Sequence, residues 1–225
     1  MNIGKGELVL NSSLTKTKEA TIFHHSGNRI RTADREISII ARFEEPLIVV
    51  LENVLSAEEC DELILLSKDK MQRSKIGATR EVNAIRTSSG SFIEEDEHPS
   101  IIAIEKRISE IMNIPVDHGE GLHILHYAPG QEYKAHYDYF SASSKVASNN
   151  RISTLVMYLN DVEEGGETVF PKLNLSVHPK KGMAVYFEYF YQEQELNENT
   201  LHAGIPVIKG EKWIATQWMR KQRVK

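Results

Sequence analysis

From Pro115 onward the chain changes texture, and that change restricts its fold more than any other feature. Short apolar segments alternate with turn signals, and no long helical periodicity returns. The segments are Gly121–Tyr127, Tyr133–Tyr137, Ile152–Leu159, Glu167–Phe170, Leu173–His178, Met183–Phe187, Thr200–Ala203 and Trp213–Trp218. Between them stand Ala128-Pro129-Gly130, Glu164-Gly165-Gly166, His178-Pro179-Lys180-Lys181-Gly182 and Lys209-Gly210. Gly and Pro at such junctions give the backbone dihedrals that turns need. About eight short strands with this punctuation predict a sandwich or double-sheet jelly roll. No internal repeat is visible.

The part before Pro115 is more helical. Residues 1–45 are weakly patterned and read as an N-terminal extension packed on the core, with a loose first dozen residues. Within them Thr21-Ile22-Phe23 and Ile37–Ile40 are expected as short strands, and His24 and His25 as surface histidines in a turn-rich setting. Pro46–Leu51 reads as a buried strand from its β-branched content. Ser56-Ala57-Glu58-Glu59 has the form of a capping box, opening a helix over 56–70. Cys60 in that helix reads as core filling. Asn83–Ser91 reads as loop or irregular strand, and the acidic run Glu94–Glu97 as a solvated face. Pro99 suits the first turn of a helix over 99–113, where Ile101, Ile104, Ile108, Ile111 and Met112 recur at helical spacing. The expected plan is therefore α+β and mainly β: the extension, then a domain over 46–220 with two helices flanking a jelly roll at 121–219. A basic, solvated tail closes it at 221–225.

The 225 residues suffice for such a domain, and 40% apolar with 26% charged residues fill an ordinary core. A net charge of −5 argues against a protein that coats nucleic acid. The single cysteine rules out an intrachain disulfide and agrees with a reducing compartment. No signal-peptide core is visible, and the longest aliphatic run, Leu47–Leu51, is too short to span a bilayer. These features lead us to expect a cytoplasmic protein without membrane or nucleic-acid partners.

Against this scaffold the chemistry concentrates in a few residues. In an extended strand His136 and Asp138 share a face, while Tyr137 points away. A third donor, His202, lies sixty-six positions on (202 − 136). Two imidazoles and one carboxylate form the facial triad of non-haem Fe(II) oxygenases, which leaves coordination positions open. A lone His-x-Asp triplet is weak evidence, but Lys212 adds to it. By a period of two, Lys212, Ile214, Thr216 and Trp218 share one strand face. A lysine pointing with apolar partners into a barrel is costly unless an anion meets it. A 2-oxo acid would satisfy that lysine and chelate the metal. His123 reads as a hydrogen-bonded core residue; His118, His126 and His178 read as surface, and His98 as part of a helix entry.

Several motifs in order and spacing resemble the prolyl 4-hydroxylases, most closely their small stand-alone bacterial members. They are Tyr133-Lys134-Ala135-His136-Tyr137-Asp138, Arg151–Leu155 with Tyr158-Leu159-Asn160, Gly165-Gly166-Glu167-Thr168, Phe170-Pro171, Leu201-His202-Ala203-Gly204, and Lys209–Trp213. The likeness covers about Pro46 to Arg220. It implies a double-stranded β-helix fold with Fe(II) held by His136, Asp138 and His202. It also implies Lys212 pairing with the distal carboxylate of 2-oxoglutarate, with the hydroxyls of Tyr127 and Thr168 close by. Arg151, Tyr133 and Trp218 match positions that approach the peptide, and Arg86-Thr87-Ser88 resembles the start of a substrate-covering loop. The implied activity is a 2-oxoglutarate-dependent dioxygenase that hydroxylates peptidyl proline at C4, using O₂ and ascorbate and releasing succinate and CO₂. Collagen-like or other proline-rich sequences are the implied substrates, and a homodimer the implied assembly. Closure of the loops 88–97 and 141–150 would then exclude water. Rival readings are a nucleic-acid dealkylating oxygenase, a cupin-type zinc protein and a non-catalytic peptide-binding module.

Overall fold

The computed structural model describes residues 21–76, 81–93, 98–189 and 197–224. The expected loose start, the acidic run Glu94–Glu97 and Lys225 of the tail lie outside them. Before the first helix run β1 (Arg29–Arg31), β2 (Glu36–Glu44) and β3 (Leu47–Glu52). Helix α1 (Ala57–Ser67) follows and tightens into a 3₁₀ turn over Lys68–Lys70. Then come β4 (Gln72–Arg73), β5 (Lys75–Ile76), β6 (Glu81–Val82), β7 (Ser89–Ile93) and helix α2 (Pro99–Met112). The β-rich half contains β8 (Leu122–Tyr127), β9 (Tyr133–His136), β10 (Arg151–Tyr158), β11 (Glu164–Gly165), β12 (Thr168–Phe170) and β13 (Leu175–Val177). It ends with β14 (Ala184–Glu188), β15 (His202–Gly204), β16 (Val207–Lys209) and β17 (Lys212–Arg220).

All pairings are antiparallel. A nine-stranded sheet runs β1-β2-β3-β14-β10-β17-β8-β7-β4, and a four-stranded sheet runs β13-β12-β15-β9. Strands β10, β14 and β17 are buried at nearly every position, on both faces. Such strands need cover on each side. The helices provide one layer: α1 packs on β7 and β8, and α2 on β10. The small sheet provides the other, which closes the jelly roll. The capping box forms as expected, Ser56 Oγ accepting from Glu59 N and Glu59 accepting from Ser56 N. In α2 the predicted stripe of Ile101, Ile104, Ile108, Ile111 and Met112 is buried. Each such side chain contributes about 1.5–3 kcal/mol relative to exposure.

Some expectations change. Thr21–Phe23 is not a strand, because its donors go to a side chain: Thr21 Oγ1 and Phe23 N both donate to Glu188 Oε1, at 2.8 and 3.0 Å. The segment meant as an extension does more than pack on the core, since β1 and β2 extend the main sheet and Ile22, Phe23, Ile30 and Ile37 are buried. His25 is not simply a surface residue. Its Nε2 lies 3.1 and 3.0 Å from the carbonyls of Glu110 and Ile111, near the C-terminus of α2, where orphan acceptors need donors. The basic tail is exposed, as expected, and is also held to the body, with Lys221 N on Asn150 O, Val224 N on Asp117 O and Arg223 paired with Asp117. Residues 89–93 of the supposed covering loop form β7, paired along β8, and Ser88 is buried with its hydroxyl on Ser74.

Candidate active site

The two sheets face each other across one pocket. From the small sheet, β9 carries His136, β15 carries His202 and β12 carries Thr168; from the large sheet, β8 carries Tyr127 and β17 carries Lys212 and Trp218. His136 and His202 are direct cross-strand partners, so the ladder itself sets the imidazoles side by side, ring centroids 4.3 Å apart. A register shift in this pair matches two steps on β15 to three on β9. That irregularity bends the strand and puts Tyr133 and His136, three apart, on one side, where their rings stack 3.4 Å apart. Asp138 lies just past the end of β9, not inside the strand as its spacing suggested.

Donor atoms of His136, Asp138 and His202 all lie within 4.8 Å of one another, the one such group of three or more among the described residues. Each histidine has its Nδ1 against a backbone carbonyl, His136 on Lys134 O at 2.8 Å and His202 on Thr200 O at 2.9 Å. Protonated there, both rings present Nε2 lone pairs towards the carboxylate, at 3.5 and 3.6 Å. Burial would raise the carboxyl pKa of Asp138, yet the two imidazoles and Arg151 hold it well below the usual range. Burial, then His136, pushes His202 down to about 4. Asp138 and His202 are thus deprotonated at neutral pH, as a divalent ion requires of its ligands.

Thr154 and Tyr189 complete this end, and no sequence signal singled them out. Both hydroxyls donate to Asp138 Oδ2 at 2.9 Å, and they also touch each other. Thr154 shares a face of β10 with Val156 and Tyr158, so strand parity could have found it. Tyr189 follows β14 in a bend and could not be placed that way.

At the other end, Lys212 is 2% exposed, and burial pushes its pKa down to about 7, with Glu167 opposing only in part. Among the described residues no carboxylate forms an ion pair with it. Its Nζ sits 5.4 Å from the ring centroid of Tyr127, its cross-strand partner, and 5.9 Å from that of Tyr158. Gly166, at φ +71°, and Gly204 lie against it: a Cβ there would be in van der Waals contact, 3.4 Å from Lys212 Cδ and 3.5 Å from Nζ. Thr168 Oγ1 accepts from Tyr158 OH at 2.9 Å, a partner missed in the sequence. A buried ammonium in a polar niche across from the three metal-type donors suits a 2-oxo dicarboxylate, whose far carboxylate would meet Lys212.

Beside the triad opens a groove of about 670 Å³, within the usual span for a ligand site. Tyr133, Arg151 and Trp218, the expected peptide-facing residues, line it together with Arg86 and Glu120. Arg151 is committed inside the protein: Nε and Nη2 donate to the two Glu120 oxygens, each at 2.7 Å, and its guanidinium lies 3.8 Å over Trp218. Burial opposes ionisation of Glu120, but Arg151 and Arg220 keep its pKa low. The Trp218 indole N–H is buried with no partner among the described residues.

The comparisons with known proteins agree with this geometry. The family model of the 2OG-Fe(II) oxygenase superfamily matches residues 122–220. The probable prolyl 4-hydroxylase 10 of Arabidopsis thaliana is 40% identical over 239 aligned residues, covering 95% of this chain and 81% of that protein. This chain belongs to the prolyl 4-hydroxylase family. Prolyl 4-hydroxylase 5 of the same plant is 39% identical, with 89% and 76% of the two chains covered. Among solved structures, a viral collagen prolyl hydroxylase of Paramecium Bursaria Chlorella virus-1, in its 2OG complex, superposes with a TM-score of 0.66. It is 34% identical and covers 78% of this chain and 96% of its own. The chain is accordingly an Fe(II)- and 2-oxoglutarate-dependent dioxygenase with O₂ as co-substrate, and a jelly-roll core carries its site.

Proposed function

We propose that this prolyl 4-hydroxylase acts on proline within peptides or proteins, placing a hydroxyl on C4 and releasing succinate and CO₂. The observation that carries the reading is the convergence of His136, Asp138 and His202 opposite the buried Lys212, which has no ion-pair partner among the described residues, with the groove opening directly beside them. An unactivated C–H bond is beyond any side chain, so the oxidising power comes from iron, oxygen and the oxo acid when bound. The protein's residues do the rest. His136, Asp138 and His202 would hold the ion through three donors, and such a set supplies open positions for the co-substrates. Thr154 and Tyr189 fix the Asp138 carboxylate, and the two backbone carbonyls fix the imidazole tautomers. Lys212, with Tyr127 and Thr168 close by, grips the far carboxylate. Tyr133, Arg151 and Trp218 orient the peptide, for which a polyproline II segment has the right extended form.

Ascorbate as reductant, a cytoplasmic location and a homodimeric assembly also belong to this proposal, supported by family likeness and by the lone, buried Cys60. Incubation of proline-rich peptides with enzyme, Fe(II), 2-oxoglutarate and ascorbate should yield a one-oxygen mass gain on proline. Oxo-acid consumption with no peptide oxidised, across collagen-like and other proline-rich sequences, would sink the reading.

A further inference from the structure

The groove is strongly cationic, although the chain as a whole carries −5. One wall holds Arg73, Lys75 and Arg86; the floor holds Arg151 and Arg220. Against these five cations the described lining offers two carboxylates, Asp138 of the metal triad and Glu120. Glu120 already serves two guanidiniums, Arg151 at 2.7 Å and Arg220 at 2.6 Å. Its single charge leaves the floor positive. On the wall no acidic side chain intervenes among the described residues. Arg73 spends one N–H on Ser88 O, at 3.2 Å, and Arg73 and Lys75 are exposed. Arg86 is 4% exposed and donates to Lys75 O at 3.3 Å; it lies 4.8 Å over Tyr133, and its Nε–H has no partner among the described residues.

A buried guanidinium without a carboxylate is costly, and so is a run of like charges along one wall. Such an arrangement is retained where an anion comes to it, and complementary charge then selects the partner. Because Arg86 and His136 both lie against Tyr133, an anion carried by the same molecule as the reacting proline would reach the wall. We propose that the preferred substrates are proline-containing peptides with acidic side chains within a few residues of the target proline, read by Arg73, Lys75 and Arg86. The proposal rests on the peptidyl-proline reading above and names its substrate class. A nucleic-acid strand could also track a cationic wall, but the negative net charge opposes long polyanions outside the groove.

Three matched proline-rich peptides, with Glu, Ala or Lys beside the target proline, test this. Their kcat/KM values are read by mass spectrometry. In parallel, their affinities for the whole metal-free chain are read by fluorescence anisotropy, without turnover. The expected order is Glu above Ala above Lys in both, spanning about tenfold, the scale of two partly solvated ion pairs. The span should shrink as salt rises. The double variant R73E/K75E, both positions being exposed, should keep its melting temperature and flatten or invert the order. Equal values for the three peptides overturn the proposal, as does an order that survives in the double variant. Displacement of the Glu peptide by a short single-stranded oligonucleotide at equal concentration also overturns it, in favour of a nucleic-acid track. If no peptide is oxidised but binding keeps the order, the turnover reading falls and the selection of acidic peptides stands.

Discussion

In the inner pocket nearly every polar side chain is strand-borne and tied to a defined partner. His136 and His202 pair across a ladder and rest on backbone carbonyls, Asp138 takes two hydroxyls, and Lys212 lies opposite Tyr127 on the next strand. In the groove next to it, Arg73 and Lys75 come from two-residue strands and Arg86 and Glu120 from connecting segments. Arg151, Trp218 and Arg220 sit at the ends of β10 and β17, and guanidiniums stack on aromatic rings. There Arg86 covers Tyr133, while Arg151 covers Trp218 and Phe140. The contrast follows from their tasks. A metal and a small dicarboxylate need ligand atoms held to a fraction of an ångström, which hydrogen-bonded ladders achieve. A peptide varies in sequence, so its groove is better served by charge and flat aromatic surface, which tolerate small displacements.

The comparison predicts a graded series. His136→Ala removes one of three ligands, and iron affinity and turnover should fall by more than about a hundredfold, since even outer partners of ligands cost tenfold or more. Equilibrium dialysis and oxo-acid consumption check this; retained iron would mean the triad is not the metal site. Lys212→Met should weaken 2-oxoglutarate by about ten- to a hundredfold, from about 1.5–3 kcal/mol for a charged hydrogen bond. Titration calorimetry with a redox-inert divalent ion in place of iron would show it, and unchanged affinity would remove Lys212 from its role.

The same lysine predicts a pH dependence. Its pKa is lowered to about 7 from 10.5, so above pH 7 the unliganded side chain is largely neutral and must gain a proton to pair with a carboxylate. Oxo-acid affinity should be fully expressed below about pH 7 and fall by up to about tenfold per unit above it. Buffers of different ionisation heat should report proton uptake on binding at pH 8.5 and little at pH 6. Tyr189→Phe removes one donor to Asp138 and should cost about tenfold in iron affinity, a value set by dialysis. Smallest is the groove effect: Arg151→Ala should lower peptide hydroxylation more than peptide-free oxo-acid decarboxylation, the two separating by about fivefold. Equal losses would assign Arg151, with Glu120, to architecture alone.

Most of the inner pocket was legible because its signals are local or periodic. His136 and Asp138 sit two apart, Lys212 declares itself by sharing parity with Ile214, Thr216 and Trp218, and turn residues bound the strands that carry them. The groove was only half legible. Its aromatic and Arg151 positions came through family likeness, whereas Glu120, Arg220, Arg73 and Lys75 carry no pattern that separates them from ordinary surface charge. Tyr189 and the docking of residues 21–23 on Glu188 were equally hidden, since each depends on a partner far along the chain.

Periodicity, turn chemistry and residue type alone therefore determined the strand-rich architecture, its flanking helices and the identity of the metal-type donors, because those depend on neighbours within a few positions. Tertiary structure decided the rest. The register of β9 on β15 brings His136 beside His202, and the bulge turns Tyr133 onto the same side. Closure of the sheets leaves Lys212 buried with no ion-pair partner among the described residues, and packing gathers cations on one wall of the groove that no described carboxylate answers. Those outcomes rest on contacts between segments tens of residues apart, and spacing along a chain does not encode which distant surfaces meet.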